Sequence, residues 1–298
     1  EHGAPGSQNF KLTRKYYTED MPDGRVKHIV QNITDPDIVP YIPDGIGNST
    51  DRQRIPAVLI IPGGAFRRLV YNFEGEDVAK WLNSMGIAAF VLECRLPSDE
   101  HDNAEDVPLI DAMRAMRVIR GRAQEFGIDE AKIGVMGFSA GGFMAALLST
   151  AYESDVYADY KYKDEYDKLS ARPDFAVCSY PVISIDDCIE AGKRYMSEEQ
   201  VLERISDSKA KILHKYNPDK LVRPDMPPVF ICETDDDRTT LSENSVGFYM
   251  AARKAGVSAE LHIFRTGGHG YGCGDDFAQT GEWKVLFTKW IKSIGIIS

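Results

Sequence analysis

The 298-residue chain is 43% hydrophobic and 27% charged, an ordinary globular balance that buries a full core as one large α/β domain or two small ones. Its formal net charge of -11 lacks the positive footprint that phosphates attract, which argues against nucleic acid or an anionic membrane as partner and favours a neutral substrate. No apolar run reaches the roughly 18 residues of a bilayer span, and the five cysteines, an odd number, imply no disulfide framework. The chain opens at Glu1-His2-Gly3 without a methionine, compatible with a processed end, and the expectation is a soluble protein, secreted or periplasmic.

Residues 8–31 alternate weakly and read as antiparallel edge strands turning at Met21-Pro22-Asp23-Gly24; a loop rich in Pro, Gly and Asp follows over 35–53, so that 8–54 form an N-terminal appendage. Short apolar strands are then expected at 56–61, 87–94, 133–138, 175–180, 229–232 and 259–264. Helices lie between them. One covers 74–84, and Leu109, Met113, Met116, Ile119, Ala123 and Phe126 mark the apolar face of the next. A third starts at Ser139, a fourth covers 243–255 and is closed by Gly256, and Trp283, Leu286, Trp290 and Ile294 stripe the last with core spacing. This alternation is the signature of a mostly parallel sheet with helices on both faces, here one α/β domain over 1–298. Residues 152–172 and 184–224 read as insertions above the sheet, the second a small lid. Tyrosines 152, 157, 160, 162 and 166 would offer stacking surfaces or a solvated insertion.

Strand, Gly137-Phe138-Ser139-Ala140-Gly141-Gly142, helix is the pattern of a nucleophile elbow, in which glycines let a sharp turn push the serine hydroxyl clear of the backbone. Such a serine needs an imidazole to take its proton and a carboxylate to orient the imidazole. Of six histidines only His214, His262 and His269 follow Ser139. His262 sits inside a strand and His214 in the lid. His269 stands in Thr266-Gly267-Gly268-His269-Gly270-Tyr271-Gly272, a loop after the last strand, at the carboxyl edge where open α/β sheets place their sites. For the acid, Glu233, Asp235, Asp236 and Asp237 all follow the penultimate strand, and spacing alone does not choose among them. The amides of Gly64 or Ala65, in Pro62-Gly63-Gly64-Ala65-Phe66, can join that of Ala140 as oxyanion donors. Phe66, Phe138, Phe143, Met144 and Tyr271 would crowd the acyl side or serve as core residues. Cys94, Cys178 and Cys232 read as small apolar core groups. Neither metal nor cofactor is expected: the acidic run Asp99-Glu100-His101-Asp102 reads as a solvated loop and Asp235-Asp236-Asp237 serves the acid.

These segments, with Phe73-Glu74-Gly75-Glu76, Arg95-Leu96-Pro97 and Glu243-Asn244-Ser245, resemble the esterase/lipase branch of the α/β-hydrolases, above all the acetyl xylan esterase-like enzymes of plant-polysaccharide-degrading gut bacteria. The match runs from about residue 55 to the end. The resemblance implies an α/β-hydrolase fold and a serine carboxylesterase acting on short-chain, acetyl esters of plant-polysaccharide sugars, such as acetylated xylo-oligosaccharides. It places the acid on Asp237, with Asp236 second. Arg238 replaces a proline common in related enzymes and would orient a substrate hydroxyl or pair with the acidic run. Phe143-Met144 stands where relatives often carry His-Leu, and Cys94 where they often carry Tyr. The same segments also resemble prolyl oligopeptidase-type peptidases, which carry a large additional N-terminal domain. A non-catalytic binding protein on this fold is the remaining alternative.

Overall fold

A computed structural model describes residues 4–7, 12–45, 54–99, 101–158, 164–194, 196–197, 199–201, 211–274 and 279–298. The central strands are β3 (Asp37–Tyr41), β4 (Ile55–Ile61), β6 (Ala88–Glu93), β7 (Ile128–Phe138), β8 (Ala176–Ser179), β9 (Val229–Thr234) and β10 (Ala259–Phe264). They form one sheet in the order β10-β9-β8-β7-β4-β6-β3, parallel throughout except for β3. Because the chain goes from β4 outward to β6 and then back past β4 to β7, the loops after β4 and β7 diverge. That divergence opens a crevice at the carboxyl edge.

Side chains of one strand alternate between two cores, as the two-residue period of a pleated strand requires. Leu59, Ile61, Val135 and Ile231 face α2 (Val107–Gly121), α4 (Ala140–Ala151) and α7 (Ser242–Lys254). Val58, Ile60, Met136 and Phe230 face α1 (Asp77–Ser84) and α8 (Trp283–Ser293). The short α3 (Ala123–Phe126), α5 (Ile185–Lys193) and α6 (Lys211–Lys215) complete the helices used here. Trp283 and Phe287 are fully buried and Trp290 nearly so, so the aromatic stripe is core. The thiols of Cys94, Cys178 and Cys232 are buried too. Among the described residues no helix is long and apolar enough to cross a membrane.

Four local expectations change. The stretch 35–53, read as loop, contains β3, which closes the sheet antiparallel to β6; Pro40 fits there because an edge strand spares the N–H that proline lacks. Residues 8–11 and 46–53 lie outside the described residues. The hairpin of β1 (Lys15–Asp20) and β2 (Val26–Gln31) does not flank the central sheet; it pairs with the two-residue β5 (Leu69–Val70) in a sheet of its own. Residues 152–172 do not sit above the site, because α4 starts at the carboxyl edge and carries the chain back to the amino edge. There Tyr152 donates to Asp225 (2.7 Å) and Tyr157 lies under Arg117, while Tyr160 and Tyr162 fall outside the described residues. Nor is the run 99–102 simply solvated: His101 is buried against Ser7 (3.0 Å) and Asp99 accepts from the Ile33 amide.

Candidate active site

β7 ends at Phe138 and α4 begins at Ala140, which leaves Ser139 alone to make the turn. Its φ of 53° is a left-handed conformation that costs a serine roughly 1–3 kcal/mol and survives only where packing imposes it. Here packing does. A Cβ on Gly137 would lie 2.0 Å from the Gly141 carbonyl oxygen, and one on Gly141 would lie 1.9 Å from that of Ile61 in β4. Only glycine lets strand, turn and helix approach so closely.

The loop after β10 brings His269 to Ser139, with Nε2 2.8 Å from Oγ. On the far side Nδ1 lies 2.6 Å from Oδ2 of Asp237. Asp237, in the loop after β9, is buried and further accepts the amides of Thr239 (2.6 Å) and Thr240 (3.0 Å) and the Thr240 hydroxyl (2.9 Å). Burial alone would raise its carboxyl, but the hydrogen bond and charge of His269, with those two amides, outweigh burial and hold it below the usual carboxylate range. Asp237 thus stays an anion at the imidazole.

The other three carboxylates do different things. Asp236 accepts the Gly268 amide (2.8 Å), and Thr234 donates to the Gly268 carbonyl (2.8 Å), so the pair fixes the histidine loop from both sides. Glu233 is buried behind Asp237, and desolvation, followed by the charge of Asp237, pushes its carboxyl well up. Asp235 is exposed.

After β4 the chain turns through Gly63 and Gly64. Gly64 has a φ of 141°, and a Cβ there would fall 2.1 Å from the Arg68 carbonyl oxygen; Ala65 and Phe66 follow at φ 57° and 60°. The Gly63 N–H is taken by Glu74 (2.8 Å), whereas among the described residues no protein acceptor takes the N–H of Gly64, Ala65 or Ala140. Beyond these amides lies an apolar pocket of about 10 Å³, bordered by Phe66, Leu69, Leu96, Pro108 and Met144. That is room for about one water-sized group.

Of the residues read as either acyl-side or core, Phe138 and Tyr271 belong to the core. Phe138 is wholly buried in the α8 core, packed on Tyr180 and Trp283, because alternation along β7 turns it away from the α4 face. Tyr271 is buried in the same core with its hydroxyl on Cys232. Phe143 is fully buried, in edge contact with Phe66. Arg238 is exposed, one residue beyond Asp237. Thr240, Glu74 and Tyr180 were missed. The motif containing Glu74 was visible in the sequence, but nothing local distinguishes Thr240 or Tyr180 from ordinary loop residues.

The BD-FAE family model matches residues 46–251. The chain is 31% identical over 240 residues to an acetylxylan esterase of Xylanibacter ruminicola, covering 80% of this chain and 45% of that protein. It is 29% identical over 269 residues to endo-1,4-beta-xylanase B of Butyrivibrio fibrisolvens, covering 88% and 40%. The chain therefore spans less than half the length of these curated relatives. Among solved structures, the acetyl ester-xyloside bifunctional hydrolase of Caldicellulosiruptor lactoaceticus is 38% identical with a TM-score of 0.70, covering 90% of this chain and 91% of that one. The carboxylesterase Cest-2923 of Lactobacillus plantarum, 20% identical with a TM-score of 0.71 over 96% and 99% of the two chains, shares the fold. With the family model covering residues 46–251, more than half of the chain, the chain belongs to the BD-FAE family of α/β-hydrolase esterases.

Proposed function

We propose that the chain is a serine carboxylesterase that removes short acyl groups, acetyl above all, from plant-polysaccharide sugars such as acetylated xylo-oligosaccharides. The observation that carries this reading is the unbroken hydrogen-bond series from Asp237 through His269 to Ser139, set beside the amides of Gly64, Ala65 and Ala140. Ser139 Oγ attacks the ester carbonyl carbon while His269 Nε2 takes its proton, and the amides of Ala140 and of Gly64 or Ala65 hold the oxyanion. Each well-aimed donor is worth about 3 kcal/mol in the transition state. His269 returns the proton to the leaving alcohol, and water then repeats the sequence on the acyl-enzyme.

The acetyl preference draws support from two sides. The small apolar pocket beside Gly64 and Ala140, lined by Phe66 and Met144, suits a short acyl group. Two relatives, an acetylxylan esterase and an acetyl ester-xyloside bifunctional hydrolase, bear names that point to acetyl esters and to xylose-containing substrates. The described parts of 184–224, which follow β8 at the carboxyl edge, would cover the alcohol half as a lid; residues 195, 198 and 202–210 lie outside the described residues.

The test is a series of p-nitrophenyl esters of rising acyl length beside acetylated xylan. Wild type is expected to prefer acetate, and Ser139→Ala to lose at least about 10⁴-fold in rate with its fold retained. A preference for long chains would redirect the reading to a lipase, and no turnover by wild type would leave a binding protein.

A further inference from the structure

Glu74 is a buried carboxyl group that the mechanism above does not use, yet it bonds the oxyanion loop directly and reaches the histidine loop through Tyr180. It lies in a single π-helical turn, Asn72–Glu76, that precedes α1, a place where π turns recur at functional positions. One oxygen accepts the Gly63 N–H at 2.8 Å, and the other accepts the Tyr180 hydroxyl at 2.9 Å. The Tyr180 oxygen in turn accepts the Gly272 N–H at 3.0 Å, and its ring stands edge-on to His269 with centroids 5.0 Å apart. The connection thus runs from the oxyanion loop after β4, through the loop after β8, to the histidine loop after β10.

We propose that Glu74 is a positioning residue which, through Tyr180, holds the oxyanion loop and the histidine loop in a fixed relation across Ser139. The proposal rests on Ser139 as nucleophile and deepens that reading. Gly63 immediately precedes Gly64, whose amide is offered to the oxyanion, and a Cβ at Gly63 would come within 2.9 Å of Ser139 Cβ. Fixing the Gly63 amide therefore fixes the direction of the next two. The hydrogen-bond pattern is complete only when both carboxylate oxygens accept. A glutamine of equal size offers one oxygen and one amino group: with the oxygen on Gly63 N–H, the amino group meets the Tyr180 oxygen, whose O–H must then turn away and lose its acceptor. Such a half-satisfied buried network loosens the geometry that it held.

Charge adds a second effect. The titratable groups that act on Glu74 are His269, Tyr180 and, from β2, Lys27. Burial, the largest influence, pushes the Glu74 carboxyl up, while the His269 charge and the two donors oppose it. A carboxylate here favours the imidazolium that forms as Ser139 gives up its proton. Asp237 favours it from the other side.

The experiment compares Glu74→Gln, Tyr180→Phe and the double variant with wild type on p-nitrophenyl acetate, with melting temperatures and pH profiles. Glu74→Gln is expected to lower kcat by roughly 10- to 100-fold with KM within about threefold, since aimed amides matter most in the transition state. The acid limb of kcat/KM should move to lower pH, because removing a negative charge that interacts with His269 makes the imidazolium harder to form. Tyr180→Phe should show a weaker version, and the double variant should be no worse than Glu74→Gln, as for two members of one network. Unchanged kcat and acid limb in folded Glu74→Gln would overturn the proposal. So would additive single effects, or a loss of activity that only tracks loss of folded protein. If Glu74→Gln fails to fold, Tyr180→Phe decides by the same kcat and pH criteria. An active Ser139→Ala would instead sink the nucleophile itself, which keeps the two failures apart.

Discussion

Asp236 and Asp237 are neighbours in sequence, and the structure gives them opposite duties. Asp237 points into the protein and accepts from His269 Nδ1, whereas Asp236 holds the backbone of the histidine loop at Gly268. Asp237→Asn should keep the fold and lower kcat by about 10³- to 10⁴-fold, because an amide can hold the imidazole in the wrong tautomer and no longer stabilises its charge. Asp236→Asn keeps an oxygen acceptor for Gly268 and should stay within about tenfold of wild type. Steady-state kinetics of the two variants on one acetate ester decide; the reverse order would move the acid to Asp236. Ser139 and His269 were legible in the sequence because a glycine-bounded turn after an apolar strand is a local pattern. The choice of acid was not local: it depends on which carboxylate the loop after β9 turns inward, and the family resemblance rather than spacing put Asp237 first.

At the scale of elements, the elbow is a contact between β4, β7 and α4 that tolerates no side chain. Gly141→Ala would drive a methyl group into the Ile61 carbonyl at 1.9 Å, and both partners are backbone that cannot step aside. The expected cost is about 4 kcal/mol or more, read as a large drop in the denaturation midpoint; a midpoint near that of wild type would show that α4 can slide along the sheet. The strands and long helices were readable because burial on one or two faces imposes a period on the residues. β3 was not, since a run punctuated by Pro36, Pro40 and Pro43 suits an edge strand and a loop equally well, and only pairing with β6 distinguishes them. The same holds for the hairpin β1–β2, whose alternation shows that it pairs but not with what.

Across the whole molecule, residues 4–7 are pinned to the loop after β6, where Ser7 meets both His101 and the buried Arg95 (3.0 Å each). Burial, reinforced by the Arg95 charge, pushes the His101 imidazole down to about 4, while burial pushes the Asp99 carboxyl up to about 6. The signs oppose. Below the ordinary imidazole value near 6.5 the unfolded chain protonates His101 before the native one does, so stability falls with acid from about pH 6.5 towards 4. Asp99 keeps a proton in the native state that the unfolded chain has released between about pH 4 and 6, so acid stabilises there. His101→Gln should therefore flatten or reverse the acid loss of stability and Asp99→Asn should steepen it, measured as denaturation midpoints from pH 7.5 down to 4. Parallel curves for all three proteins would show that neither group is linked to folding.

By itself the sequence determined the succession of strands and helices, the elbow, its serine and the histidine loop, because periodicity and glycine punctuation are properties of a few adjacent residues. Only the tertiary structure decided that Phe138 and Tyr271 belong to the core, that Asp237 rather than Asp236 meets the imidazole, and that Glu74 and Tyr180 join two loops across the serine. These depend on strand order and on the face each side chain takes, and they join residues far apart in the chain: Asp237 and His269 are 32 positions apart, Glu74 and Tyr180 are 106.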